Sequence, residues 1–164
     1  MATVSDQLAT SRIPGARGRN LPYFVETTID MAAAVTTKGT ALASADIIQC
    51  IPIPAETQIL DAGMQCVTVH TGTSSDTGFD LGVTGNNPDA FVDAFSFDGA
   101  VAGEYAASAG NGGTVVTATD TLDIVFTAMT GTTLTGSIRV FAWLADVSDQ
   151  GLVDATDVDR DTLA

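Results

Sequence analysis

Basic residues are scarce in this chain: 6 Lys and Arg stand against 20 Asp and Glu, a formal charge of −14 over 164 residues. Such a balance repels nucleic acid and anionic membranes and favours cationic partners. Histidine occurs once, at His70, and no serine stands in a GxSxG elbow or a comparable frame, so no Ser-His-Asp site is legible. His70 reads instead as a strand cap beside a Thr-rich turn. The two cysteines, Cys50 and Cys66, lack zinc spacing and sit in apolar runs, where they read as buried free thiols. Gly-rich phosphate loops and basic aromatic patches are missing too. Chance Asp pairs are unavoidable on so acidic a surface and carry no glycosidase signal. The chain starts without an apolar h-region, and no run approaches the ~18 apolar residues of a membrane span, so synthesis and assembly in cytosol are expected. The expectation is a non-enzymatic protein without a cofactor or a bound metal.

What is abundant is Thr, Gly and Asp. Thr favours strands while Gly and Asp favour turns, which points to an all-β fold. The strongest signal lies in residues 122–146. Leu122, Ile124, Phe126 and Ala128 alternate with Asp123, Val125, Thr127 and Met129, the period of a strand. After a turn at Thr130-Gly131-Thr132-Thr133, Ile138, Val140, Ala142 and Leu144 form a second aliphatic stripe. The pair reads as a long hairpin. The opposite face of its second strand carries Arg139, Phe141, Trp143 and Ala145. A solvent-facing sheet surface would be polar, so Phe141 and Trp143 mark a covered face or a subunit contact.

Residues 1–22 lack apolar periodicity and read as an extended basic arm, 23–146 as a β-sandwich domain, and 147–164 as an acidic tail. Charge follows that division. The first 24 residues set Arg12, Arg17 and Arg19 against Asp6, whereas residues 25–145 carry a formal −11 with only Lys38 and Arg139 as cations. Strands are expected over residues 23–31, 46–54, 57–70, 78–84 and 114–118, with Pro52 and Pro54 at an edge and Gly63 at a bulge. Residues 32–45 fit either a loop with a short helix or an edge strand. Asn87-Pro88-Asp89 carries a helix-start signal, and residues 98–113 read as a long surface loop. Six to eight short strands with almost no helix describe an antiparallel β-sandwich, jelly-roll-like in type.

Two further stretches are candidates for binding. Asp146, Ser148, Gln150, Asp154 and Asp157, with Gly151 at the sharp turn, fall at oxygen-ligand positions of a twelve-residue calcium loop. Gln at the fifth position, Asp at the twelfth and a strand before the loop favour an acidic solvated tail. Arg12, Arg17 and Arg19 form the other candidate, an arm whose guanidinium forks pair with carboxylates of an acidic neighbour.

Three segments together resemble the small structural proteins of tailed-phage virions: ADIIQCIPIPAETQILDAGMQC, GFDLGVTGNNPDAFVDAF and DTLDIVFTAMTGTTLTGSIRVFAWLAD. They cover roughly residues 45–146. The resemblance is to capsid decoration (cement) or other head-associated proteins, which are often oligomeric and commonly trimers. It implies a protein on the capsid exterior, made in the host cytoplasm, with the major capsid protein and its own copies, as a homotrimer, for partners. Nucleic acid and membrane are not among the partners implied. It brings no catalytic residues, and Arg12, Arg17, Arg19, Phe141 and Trp143 are the expected capsid or subunit contacts. An alternative from another class is a tail, fibre or head-knob module contacting a host-surface glycan through its Thr/Gly/Asn-rich loops. A secreted carbohydrate-binding module with a calcium loop is a third reading, weakened by the scarcity of aromatics.

Overall fold

A computed structural model describes residues 3–4, 22–83, 87–107 and 113–147. Its strands are β1 (Thr3–Val4), β2 (Tyr23–Asp30), β3 (Ile47–Ile53), β4 (Thr57–Thr68), β5 (Ser75–Val83), β6 (Asn87–Ser96), β7 (Tyr105–Ala107), β8 (Thr114–Val116), β9 (Asp120–Thr130) and β10 (Ser137–Asp146). One sheet runs β1-β3-β9-β5-β6; the other runs β2-β10-β4-β7, with β8 pairing β4 as well. From β2 to β5 each strand crosses to the opposite sheet, and β9 and β10 cross again. Apart from β1, which pairs parallel with β3, every pairing is antiparallel. That interleaving of two packed antiparallel sheets is the jelly roll.

The period-2 stripes do what their spacing requires. Ile138, Val140, Ala142 and Leu144 of β10 face Leu122, Ile124 and Phe126 of β9 across the sandwich, and all seven are essentially inaccessible. These two strands are therefore not the hairpin their sequence resembles. β9 pairs with β3 and β5, whereas β10 pairs with β2 and β4. A stretch of several residues separates them, and its Leu134 is buried, anchoring a connection that passes over the end of the sandwich. β3 and β4 also belong to different sheets, so the chain around Ala55 is a crossover.

Tertiary packing overrides the local signal at Asn87. Pro88 and Asp89 open strand β6, not a helix. β6 is the outer strand of its sheet, where a proline without an N–H is tolerated. Gly82 lets it approach, because a Cβ there would collide with the Asn87 carbonyl oxygen. Burying Ala90, Phe91, Val92 and Phe95 then outweighs a cap signal worth about 1 kcal/mol. Residues 98–113 are not one loop, since β7 lies within them and Ala100 is buried. Residues 31–38 form a helix, α1 (Met31–Lys38), the only one among the described residues. The Asp30 carboxylate accepts the Ala32 and Ala33 N–H groups at 2.9 and 3.1 Å, and Gly39 ends the helix at φ 76°.

Both cysteines are buried free thiols. Cys50 is the extra residue of a bulge in β3 and donates to the Ile48 carbonyl at 3.2 Å. Burial pushes its pKa far up, so it is inert toward thiolate chemistry. Burial first, and then Glu104, raises that of Cys66.

On β5, Asp80 is 9% exposed and accepts the N–H of Ala94, a residue held at φ 54°, at 2.8 Å. Burial raises the Asp80 pKa above 3.8; the Ala94 N–H opposes this, and Asp93 and Asp89 add to it. The folded state then binds the proton more tightly than the unfolded one. Stability therefore falls as pH rises through the window between 3.8 and the folded value, and the whole cost is present above it. Asp80→Asn keeps an acceptor for Ala94 and should melt higher than wild type at about pH 7, with the advantage vanishing by about pH 3. Paired thermal melts across that range check this; an equal or lower melting temperature at neutral pH contradicts it.

Candidate interaction face

The outer surface of the β2-β10-β4-β7 sheet collects residues that core packing does not use. In register, Trp143 stands between Phe24 on β2 and Asp61 on β4, Phe141 between Glu26 and Gly63, and Arg139 between Thr28 and Gln65. The aromatic rings of neighbouring strands meet. Phe24 lies 5.3 Å from Trp143 and 6.1 Å from Phe141, centroid to centroid, the latter pair stacked. Phe24 is 45% exposed and Trp143 44%, while Phe141 is half-buried between them and β4. Tyr105 on β7 stands beside Gln65 in the row of Arg139 and is 68% exposed. A contiguous aromatic surface with polar neighbours is the mark of an interaction site.

Gly63 makes this face possible. A Cβ on it would sit 2.7 Å from the Phe141 ring and 2.5 Å from the Ala106 carbonyl oxygen. Glycine thus lets Phe141 lie flat across β4, and it is not the bulge that its position in the alternation implies. Gly63 pairs in register with Phe141; the irregularities of β4 fall where Leu60 and Val67 are inserted. Ala145, outward by its place in the sequence alternation, is buried.

Charge on the face is sparse. The Arg139 Nε lies 3.7 Å from Glu26 Oε2 in a half-exposed bridge worth little to stability. Lys38, the other cation of residues 25–145, is held by Asp46 and donates to the Ala41 carbonyl at 2.7 Å. With only these two cations in residues 25–145, the body presents an acidic surface around the aromatic strip.

Other sequence candidates lie elsewhere. His70, just beyond β4, accepts the Thr135 N–H at Nδ1 (3.1 Å) and lies 3.0 Å from the Ser74 carbonyl at Nε2, a donor there in the neutral ring. It ties the loop after β4 to the connection before β10. Arg12, Arg17 and Arg19 lie outside the described residues, as does the calcium-loop stretch beyond Val147. Among the described residues no group of three His, Cys, Asp or Glu is placed to hold a metal, and no helix is long and apolar enough to cross a membrane. Phe141 and Trp143 share one face as their alternation predicts. Sequence reasoning missed Phe24, Glu26 and Tyr105; the outward parity of Phe24 in YFVETTID is the one available signal.

No family model and no curated protein matches this chain. Among solved structures, a chain in the capsid of Ralstonia phage GP4 superposes with a TM-score of 0.64 at 12% identity, covering 90% of this chain and 100% of that one. A chain of the cyanophage Pam1 capsid asymmetric unit gives 0.57 at 15% identity, covering 84% and 93%. One from the acid-stable capsid of Helicobacter pylori bacteriophage KHP30 gives 0.50 at 11%, covering 76% and 89%. At such identities the shared property is the fold: this jelly roll is similar, over nearly its whole length, to chains that occur in phage capsids.

Proposed function

We propose that this chain is a non-enzymatic structural protein of a phage virion, one that decorates the outer capsid surface and stabilises it by bridging capsid subunits. The observation that carries the reading is the fold match, which takes in 90% of this chain and the whole of a chain from a phage capsid. The aromatic face of Phe24, Phe141 and Trp143 supports it, because an isolated soluble domain gains nothing from leaving the adjoining Phe24 and Trp143 rings nearly half exposed. In this reading Phe141 and Trp143 are buried between subunits, in a homotrimer. The arm with Arg12, Arg17 and Arg19 grips a neighbouring capsid or decoration subunit, and the acidic body faces solvent outside the shell.

Such a protein acts by mass action. It binds the assembled shell, which alone offers the complete site, and so stabilises that state over the dissociated one. Shells assembled without it should lose integrity at lower temperature and under milder osmotic shock than complete shells, with resistance restored on adding the purified protein. Equal resistance would overturn the reading. Quantitative mass spectrometry of the particle should count it in the hundreds; a handful of copies would favour a tail or fibre module instead.

A further inference from the structure

We propose that the aromatic face is covered by the arginine-bearing segment, residues 12–19, of a second copy of this chain. The inference rests on reading this face as a subunit contact and does not depend on the shell. Four observations meet here. First, the rings of Phe24 and Trp143 are nearly half exposed and accept a cation over their faces, with Glu26 and Asp61 as their in-register neighbours. Secondly, β2 is the outer strand of its sheet. Among the described residues it pairs only with β10, over eight consecutive positions without a proline or a register shift. Its other edge therefore offers a regular row of N–H and C=O groups beside Phe24, suited to an extended segment.

Thirdly, charge selects the occupant. A bare acidic body would repel another, for each carries −11 over residues 25–145, with only Lys38 and Arg139 as cations and Lys38 held by Asp46. The cation-rich stretch of the chain is the one holding Arg12, Arg17 and Arg19 against a single Asp6. Fourthly, reach permits exchange. Residues 5–21 connect β1, on the edge of one sheet, to β2, on the edge of the other. Extended, a stretch of that length is on the order of 50 Å long and, held at both ends, can stand out from the domain by about half of that, against roughly 10 Å between packed sheets. Pro22 disfavours a helical bend just before it. The stretch is thus long enough to meet the Phe24–Trp143 end of a neighbour.

Trp143 is the sole tryptophan, so its emission reports the face directly. In the full-length protein, acrylamide quenching should fall by roughly half as concentration rises and the ring, 44% exposed in a single copy, is covered. The change should track a rise in mass above the monomer and weaken in high salt. An Arg12→Gln, Arg17→Gln, Arg19→Gln variant should stay monomeric and quenchable throughout, and a synthetic peptide of residues 9–21 should shield its Trp143. Three results would overturn the proposal. The variant could associate and shield Trp143 as wild type does, which would mean contact between bodies. Shielding could depend on the arginines but not on concentration, which would mean that each arm covers its own face. Or Trp143 could remain equally open in wild type and variant. None of these bears on whether the protein binds shells, which the shell-stability experiment tests separately.

Discussion

A Phe79→Ala variant is expected to lose about 3–5 kcal/mol of folding stability, a large share of the roughly 5–15 kcal/mol that holds a domain of this size together. Phe79 on β5 is completely inaccessible and sits where three elements meet. Its ring stands edge-on to Phe126 of β9 at 4.8 Å and lies 5.3 Å from Phe97, the residue after β6. Phe79 is also the register partner of both Phe126 and Phe95, so truncation removes packing from both neighbouring strands at once. Strands locked in ladders on either side cannot collapse into the space, and the full cavity cost remains. Urea unfolding monitored by circular dichroism should show a lower midpoint with little change in slope. Trp143→Ala is the matching control. It removes a larger ring, yet one nearly half in water, and should cost the single copy far less. If the two variants lose similar stability, the division between core rings and face rings is wrong.

That division is partly legible in the sequence. The alternation in residues 138–144 places Ile138, Val140, Ala142 and Leu144 inside and Phe141 and Trp143 outside, and the structure has them so. Side-chain period reports the two faces of a strand and nothing about which strand lies beside it. For that reason the segment of β9 and β10 looks like a hairpin although its halves lie in opposite sheets. The deciding contacts are with β2, β3, β4 and β5, all distant in sequence, and the one local sign is Leu134, an apolar residue in a connection with no evident use for it. Gly63 is ambiguous for a related reason. Glycine in a strand marks either a bulge or a close approach, and only the ring of Phe141, from a strand far along the chain, distinguishes them.

The helix-start signal at Asn87 fails although it is right about local preference. Asn, Pro and Asp do favour the first turn of a helix, but by an amount that burying four apolar side chains against β5 exceeds several times over. Phe24 is hard to single out because its outward parity in YFVETTID does not say that other rings lie beside it. Its importance comes from register with Trp143, which is a property of the folded sheet.

Lys38→Met should cost about 3–5 kcal/mol, an effect comparable to that of losing a core ring although no core volume is lost. The Lys38 and Asp46 side chains are 13% and 4% exposed, and the ammonium bonds the Asp46 carboxylate directly. That carboxylate also accepts the Ala43 N–H at 2.8 Å. Removing the lysine leaves a buried charge with much of its compensation gone, the expensive half of a buried pair to keep. Asp46→Asn should be milder, since its amide oxygen can still accept from Ala43 and the lysine retains the Ala41 carbonyl. Combining Lys38→Met with Asp46→Asn leaves no buried carboxylate to neutralise, so the double variant should recover part of the Lys38→Met loss. A double-mutant cycle in urea would read that coupling as about 1 kcal/mol or more; a coupling near zero would mean that the pair is solvated and merely adjacent. The pair fastens the end of α1 to the start of β3, a strand of the sheet that does not carry the aromatic face. Its loss should therefore lower stability while leaving the quenching response of Trp143 to concentration as it is in wild type, under conditions where the variant remains folded.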